Sequence, residues 1–309
     1  MRRLVTVNFA PCAIFVTCLY ALVRAGSFSG RSDWHAVAPA GLQTLAEALL
    51  LITACTAVLA LLLHPFQIRA VRVLEGYWDR WTATAGIAGV LVEMQRRRWQ
   101  ALRGRAEQAT RDERARRARA DARRRLALQP PAEVLLPTAL GNALRAGELS
   151  AGERYGLTTL SSWPRVYMQV SHRMSEVLSS ARDTLDAAVN LCWSFLALTA
   201  ASAVALHEEP SQWWLCGTAL ASAAVAYRGA VIAAQTYAGL MHVVYDLHRF
   251  DLLEAMHYRL PPDREAEEEV FVQVSDLLDG KRPPDLRYEH RGVRRAGSDA
   301  YDADGAADA

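Results

Sequence analysis

The sequence predicts an all-α integral membrane protein with about four transmembrane helices in two hairpins and a cytoplasmic helical domain between them. Three observations predict it. Hydrophobic residues make up 51% of the 309 and charged residues 22%, and a mean hydropathy of +0.01 is high for a chain with 34 arginines. Apolar and charged residues must therefore occupy separate stretches, which excludes a wholly disordered chain. Four apolar runs approach or reach the ~20 residues that cross a ~30 Å hydrocarbon layer at ~1.5 Å per helical residue. Arginines gather on one side of those runs, the pattern that fixes orientation.

Residues 4–23 form the first run, without a charge, between Arg2-Arg3 and Arg24. Its length favours a retained anchor over a cleaved signal peptide, for which Val23-Arg24-Ala25 is a passable site. Residues 48–63 form the second, closed by His64-Pro65; a full span needs the helix to begin near Leu42 and to carry Glu47 in its outer turn. Glu47 reads as an interfacial carboxylate or as an intramembrane ion-handling group. The two runs give a first hairpin over 1–64.

Residues 187–206 and a run from Trp213-Trp214, joined by a short polar turn, give a second hairpin over 187–233. Ala197, Ala201 and Ala205 on one helix and Gly217 with Ala221 on the other repeat small residues every four positions, through a packing seam or through alanine-rich composition. Arg228 lies about 22 Å into the fourth span, close enough to the far boundary to snorkel, with a pore or substrate site as the other reading. Glu47, Asn190 and Arg228 are the candidate intramembrane polar residues. Arg2 and Arg3, Arg69, Arg72 and Arg80, Arg173 and Arg182 lie on one side, against Arg24 and Arg31 on the other. The positive-inside rule puts both termini and the long middle segment in the cytoplasm.

Residues 65–129 begin with a shallow membrane-exit helix and continue into a basic run. Between 96 and 125, thirteen arginines face four acids, a net of +9, with Trp99, Leu102 and Leu126 almost the only large apolar groups. A long solvated helix with a thin alanine seam follows, suited to pairing with a copy of itself as a coiled coil and so to a homo-oligomer. Its candidate binding residues are Arg114, Arg116, Arg117, Arg119, Arg123, Arg124 and Arg125. Anionic membrane lipid, an unknown acidic protein partner, the chain's own acidic C-terminus and a mere spacer are the readings; nucleic acid is disfavoured because no recognition motif surrounds the run.

Residues 130–186 read as a cytoplasmic helical domain, with a short helix around Leu140 and Leu144, Gly156 as a cap and Trp163-Pro164-Arg165 as a break. Residues 234–297 extend the fourth span as a helix stopped by Pro261-Pro262, with a further amphipathic segment over 270–278; residues 298–309 read as a disordered acidic tail. Leu74-Glu75-Gly76-Tyr77-Trp78, Pro137-Thr138-x-Leu140-Gly141-Asn142, Arg154-Tyr155-Gly156-Leu157, Trp163-Pro164-Arg165 and Tyr245-Asp246-Leu247-His248-Arg249-Phe250-Asp251 together resemble a group of uncharacterised bacterial multi-pass membrane proteins. That resemblance implies membrane residence and bacterial origin, and no activity.

No nucleotide-binding, nucleophile-elbow or H-E-x-x-H motif is present, and five cysteines inside apolar runs form no C-x-x-C pair, so no cofactor and no metal is expected. His242, Asp246, His248 and His257 are the nearest approach to a metal set, and Glu148, Glu153, Tyr155 and Arg165 to an acid-base set. Ion pairs from the Asp246 segment to Arg145, Arg154 or Arg165 are the favoured reading. The expected function is a non-enzymatic membrane protein whose cytoplasmic module interacts or scaffolds, with the arginine-rich helix on anionic lipid or an acidic partner. An oligomeric channel or small transporter is the alternative, and a membrane enzyme the second.

Overall fold

The computed structural model describes residues 5–78, 82–108, 112–281, 286, 288 and 289. Arg2, Arg3, Arg80, Arg111 and the acidic tail 298–309 lie outside the described residues. The fold is all-α, and among the described residues the only extended pairing is a single bridge between Tyr258 and Tyr288. Four helical segments are long and apolar enough to cross a membrane, as the sequence predicts.

After a π-helical turn at Val5–Phe9, α1 spans Ala10–Arg24, with Pro11 in its first turn, where a missing N–H costs little. Helix α2, Leu42–Leu63, begins at Leu42 as the span length requires, and a 3₁₀ turn over His64–Phe66 leads into α3, Gln67–Glu75. Gly76 stops α3 in the left-handed region at φ +95°, where a side chain would be strained. Helices α4 (Thr82–Glu107) and α5 (Glu113–Ala127) follow, then α6 (Ala139–Ser150) and α7 (Thr159–Tyr167). Two long helices, α8 (His172–Ala205) and α9 (Trp214–Ala255), precede α10 (Arg264–Leu278).

With 34 and 42 residues, α8 and α9 are about 51 and 63 Å long, well beyond the hydrocarbon layer. They form one antiparallel spine that packs against α1 at one end and against α6 and α7 at the other, where α10 joins α9 through Phe250 against Phe271 and Arg249 to Glu267. Three buried clusters follow the spine. Leu22, Leu198 and Leu206 close the end beside α1; Val71, Leu140, Leu185 and Val189 meet the alanines of α9 in the middle; Leu157, Val166, Tyr245, Leu252 and Phe271 make the core of the far domain. The loops that join the two hairpins lie on the same side, because the Ser32 hydroxyl donates to the Glu209 carboxylate at 2.8 Å.

Four local expectations change. The basic run is two helices rather than one: α4 ends at Glu107, Asp112 is extended, and α5 packs back along α4 as an antiparallel hairpin. Its alanine seam, including Ala106 and Ala122, is therefore buried within one chain. On α9 the seam runs through Ala219, Ala223, Ala226 and Ala230, while Gly217 and Ala221 are exposed; on α8, Ala205 is buried and Ala197 is not. Pro164 sits inside α7, and α9 ends at Ala255 ahead of Pro261-Pro262, with His257 left-handed at φ 59°.

Candidate functional site

The α4–α5 hairpin forms an arm whose contacts are mostly internal. Alanine lets its two backbones approach, and the Arg119 Nε donates to the Ala106 carbonyl across the seam at 2.9 Å. Along the helix surfaces Arg97 pairs with Glu93, Arg103 with Glu107, Arg117 with Glu113 and Arg125 with Asp121, all at i,i+4. Such exposed pairs are weakly stabilising, and they engage the acids of α4 and α5 themselves, Glu93, Glu107, Glu113 and Asp121. Arg98, Arg105, Arg114, Arg116, Arg123 and Arg124 are exposed, with no carboxylate within ion-pair distance among the described residues.

Between this arm and the body lies a groove of about 890 Å3. Leu74 and Trp78 after the membrane-exit helix, Leu91 and Leu102 on the arm, and Tyr227 and Val231 on α9 give it an apolar floor. Arg98, Arg105, Arg125 and Arg228 bring four guanidiniums to its walls, and among the described residues no Asp or Glu lines it. Local hydrogen bonds fix the floor. Trp78 Nε1 donates to the Val73 carbonyl at 2.7 Å, the Leu140 N–H donates to the Tyr227 hydroxyl at 3.2 Å, and Asn142 bonds both the N–H and the carbonyl of Leu136. The groove sits past the end of the apolar stretch of α2 and beside the first arginine of α9.

Of the seven arginines predicted to bind, only Arg125 lines this groove. Arg119 and Arg123 line a crevice inside the arm beside Trp99 and Leu126, and Arg114, Arg116, Arg117 and Arg124 project from the arm's surface. The intramembrane polar candidates do not line one cavity. Glu47 is exposed in the second turn of α2 and accepts from Gln43 Nε2 at 3.1 Å. Asn190 donates to the Asn8 side-chain carbonyl at 2.8 Å and to the Val7 carbonyl at 3.1 Å. Arg228 faces the groove. Arg98 and Arg105 were visible in the sequence only as members of the basic run, because their meeting with Arg228 depends on how the arm folds back.

The far domain holds a denser polar network. Arg145 binds Glu148 and Glu153, each at 2.9 Å; Arg154 meets Asp246 at 3.7 Å; Arg249 binds Glu267 at 2.7 Å and stacks over the Tyr155 ring. The Tyr155 hydroxyl donates to Asp246. Burial, and then that hydrogen bond, push the Tyr155 pKa above its ordinary value. Arg154 thus makes the tie to Asp246 that the sequence suggests, whereas Arg165 turns to the Ser161 carbonyl and stands outside the network. His248 pairs with Asp251, and among the described residues no three His, Cys, Asp or Glu side chains converge as metal ligands. Every member of the network has a protein partner, so it reads as the lock that holds α6, α9 and α10 together.

Comparison of the chain with protein-family models, with curated proteins and with solved structures finds no match.

Proposed function

We propose that this protein is a four-pass resident of a bacterial inner membrane, with both termini and the arm in the cytoplasm, that acts as a non-enzymatic interaction module by holding an anionic lipid. The observation that carries this reading is the groove in which Arg98, Arg105, Arg125 and Arg228 surround an apolar floor, with no carboxylate among the described residues that line it. A phosphodiester in it meets planar forks able to bind two oxygens at once, and the floor takes the glycerol and first methylenes. Each arginine near the surface adds ~1 kcal/mol with anionic lipid. The arm touches the body little, so a bound headgroup would bridge the two and set the arm's angle, which displays the remaining arginines to an acidic partner. The arginine distribution supports a cytoplasmic arm, beside the leaflet that recruits basic segments.

Thermal stability in neutral detergent tests the proposal. Phosphatidylglycerol should raise the melting temperature saturably and phosphatidylcholine should not, and the Arg98→Gln, Arg105→Gln, Arg228→Gln variant should lose the difference. An equal response to both lipids overturns the reading.

A further inference from the structure

A second cavity, of about 380 Å3, is enclosed by α1, α2, α3 and α8 at the end of the spans nearest the groove. That volume lies within the ~300–1,000 Å3 of small-molecule sites. Its walls are Phe15, Leu59, Leu63, Phe66 and Trp193, and Trp193 is fixed by its Nε1 donating to the Ala70 carbonyl at 3.2 Å. One end is polar. Asn8, only 5% exposed, accepts from Asn190 Nδ2 at 2.8 Å, and its own Nδ2 lies 3.0 Å from His64 Nδ1. Three spans are therefore joined by amide and imidazole groups whose bonds leave other polar atoms over. The Asn190 side-chain carbonyl, the Gln67 amide and the Ser194 hydroxyl line the cavity with no hydrogen-bond partner among the described residues.

Next to hydrocarbon, an unpaired polar group costs ~1–3 kcal/mol, which a ligand with a matching head removes. Among the described residues no charged side chain lines the cavity, so a phosphate, carboxylate or ammonium head would be desolvated without a counter-ion from them. The apolar walls suit one hydrocarbon chain. We propose that this cavity binds a neutral lipid with a single long chain and a hydroxyl or carbonyl head, the head bonding Asn190, Gln67 and Ser194. The site is separate from the arginine groove, and the two differ in the charge they select.

Photolabelling of the full-length protein in nanodiscs with a diazirine-bearing hexadecanol tests this. Adducts are expected on residues of α1, α2 and α8 that line the cavity, competed by hexadecanol about tenfold better than by palmitate or hexadecane, a difference of ~1.4 kcal/mol. Ala197→Phe, which fills the cavity from an unburied wall position, should lower labelling about tenfold. Gln67→Leu keeps the volume and removes one amide; it should keep labelling and narrow the preference for hexadecanol over hexadecane. Labelling confined to the outward faces around Leu49, Leu50, Val225 and Ile232, competition by palmitate equal to that by hexadecanol, or an unchanged preference in Gln67→Leu would overturn the proposal.

Discussion

Gly141→Ala should damage the joint that carries the groove floor, and its cost follows from the geometry. Gly141 lies in the first turn of α6, directly beneath the end of α3. A methyl there would stand 2.1 Å from the Glu75 carbonyl oxygen and 3.0 Å from Leu136 Cδ1. A carbon–oxygen contact relaxes at ~3.3 Å, so the carbonyl must withdraw by roughly 1.2 Å. That oxygen also accepts the Thr138 hydroxyl at 2.8 Å, a bond that such a retreat stretches to about 4 Å and breaks. Overpacking costs ~1–3 kcal/mol and the lost bond ~1, against ~1 kcal/mol gained from replacing glycine in a helix, a net loss of about 2 kcal/mol. In a chain of this size the melting temperature should fall by about 3 °C. Gly104→Ala is the internal control, because a Cβ there meets nothing within 4 Å, and it should be neutral or raise the melting temperature by about 2 °C. Differential scanning fluorimetry of both variants in one detergent reads the two signs. A Gly141→Ala protein melting at or above the wild-type temperature would refute the close approach of α3 and α6.

Tyr155→Phe keeps the ring beneath Arg249 and removes the hydroxyl. Because the folded-state pKa of Tyr155 is raised by burial and by Asp246, its contribution is whole below pH ~10 and fades as pH rises above that, so a melting-temperature profile from pH 8 to 12 should fall less steeply in the variant. Glu267→Gln leaves the partly buried Arg249 without its anion and should cost about 2 kcal/mol, read as faster hydrogen exchange throughout α10. Asp263→Ala removes the side chain that accepts the Ala266 N–H at 2.9 Å and should cost ~1 kcal/mol, with exchange faster only in the first turn of α10. Ala122→Leu, at a seam position 2% exposed, should open the arm and lower its helicity by circular dichroism, while Ala118→Leu on the exposed side should not.

The spans were legible because a bilayer imposes length and apolarity on each one separately. That is why α2 begins at Leu42, where the hydrocarbon thickness requires it. The fold-back of the arm was hidden, since alanine and arginine sustain a helix equally well alone or paired, and nothing in the periodicity of residues 96–125 marks an interruption. Pro164 misled because a helix tolerates proline when tertiary contacts hold it, here through Trp163 stacked on Tyr245 and Val166 fully buried. The seam on α9 fell two residues from the expected one because alanine occupies several faces of that helix, and only the position of α8 selects Ala219, Ala223 and Ala226. Arg228 stood out in the sequence as a charge in an apolar run. Its companions did not, since Arg98 and Arg105 lie more than a hundred residues away and are brought near only through the arm. Asn190 stood out in the sequence as a polar residue within a span, but its meeting with Asn8 at the second cavity depends on how the spans pack.

The arginine groove is tested most directly by native mass spectrometry of the protein released from nanodiscs holding equal amounts of phosphatidylglycerol and phosphatidylcholine. At least one phosphatidylglycerol should stay bound to the wild-type chain in preference to phosphatidylcholine, and Arg98→Gln, Arg105→Gln, Arg228→Gln should abolish that preference while Arg114→Gln, Arg116→Gln, on the outer arm, should keep it. Equal retention of the two lipids by the wild type, or loss of the preference only in the outer-arm variant, would contradict the account.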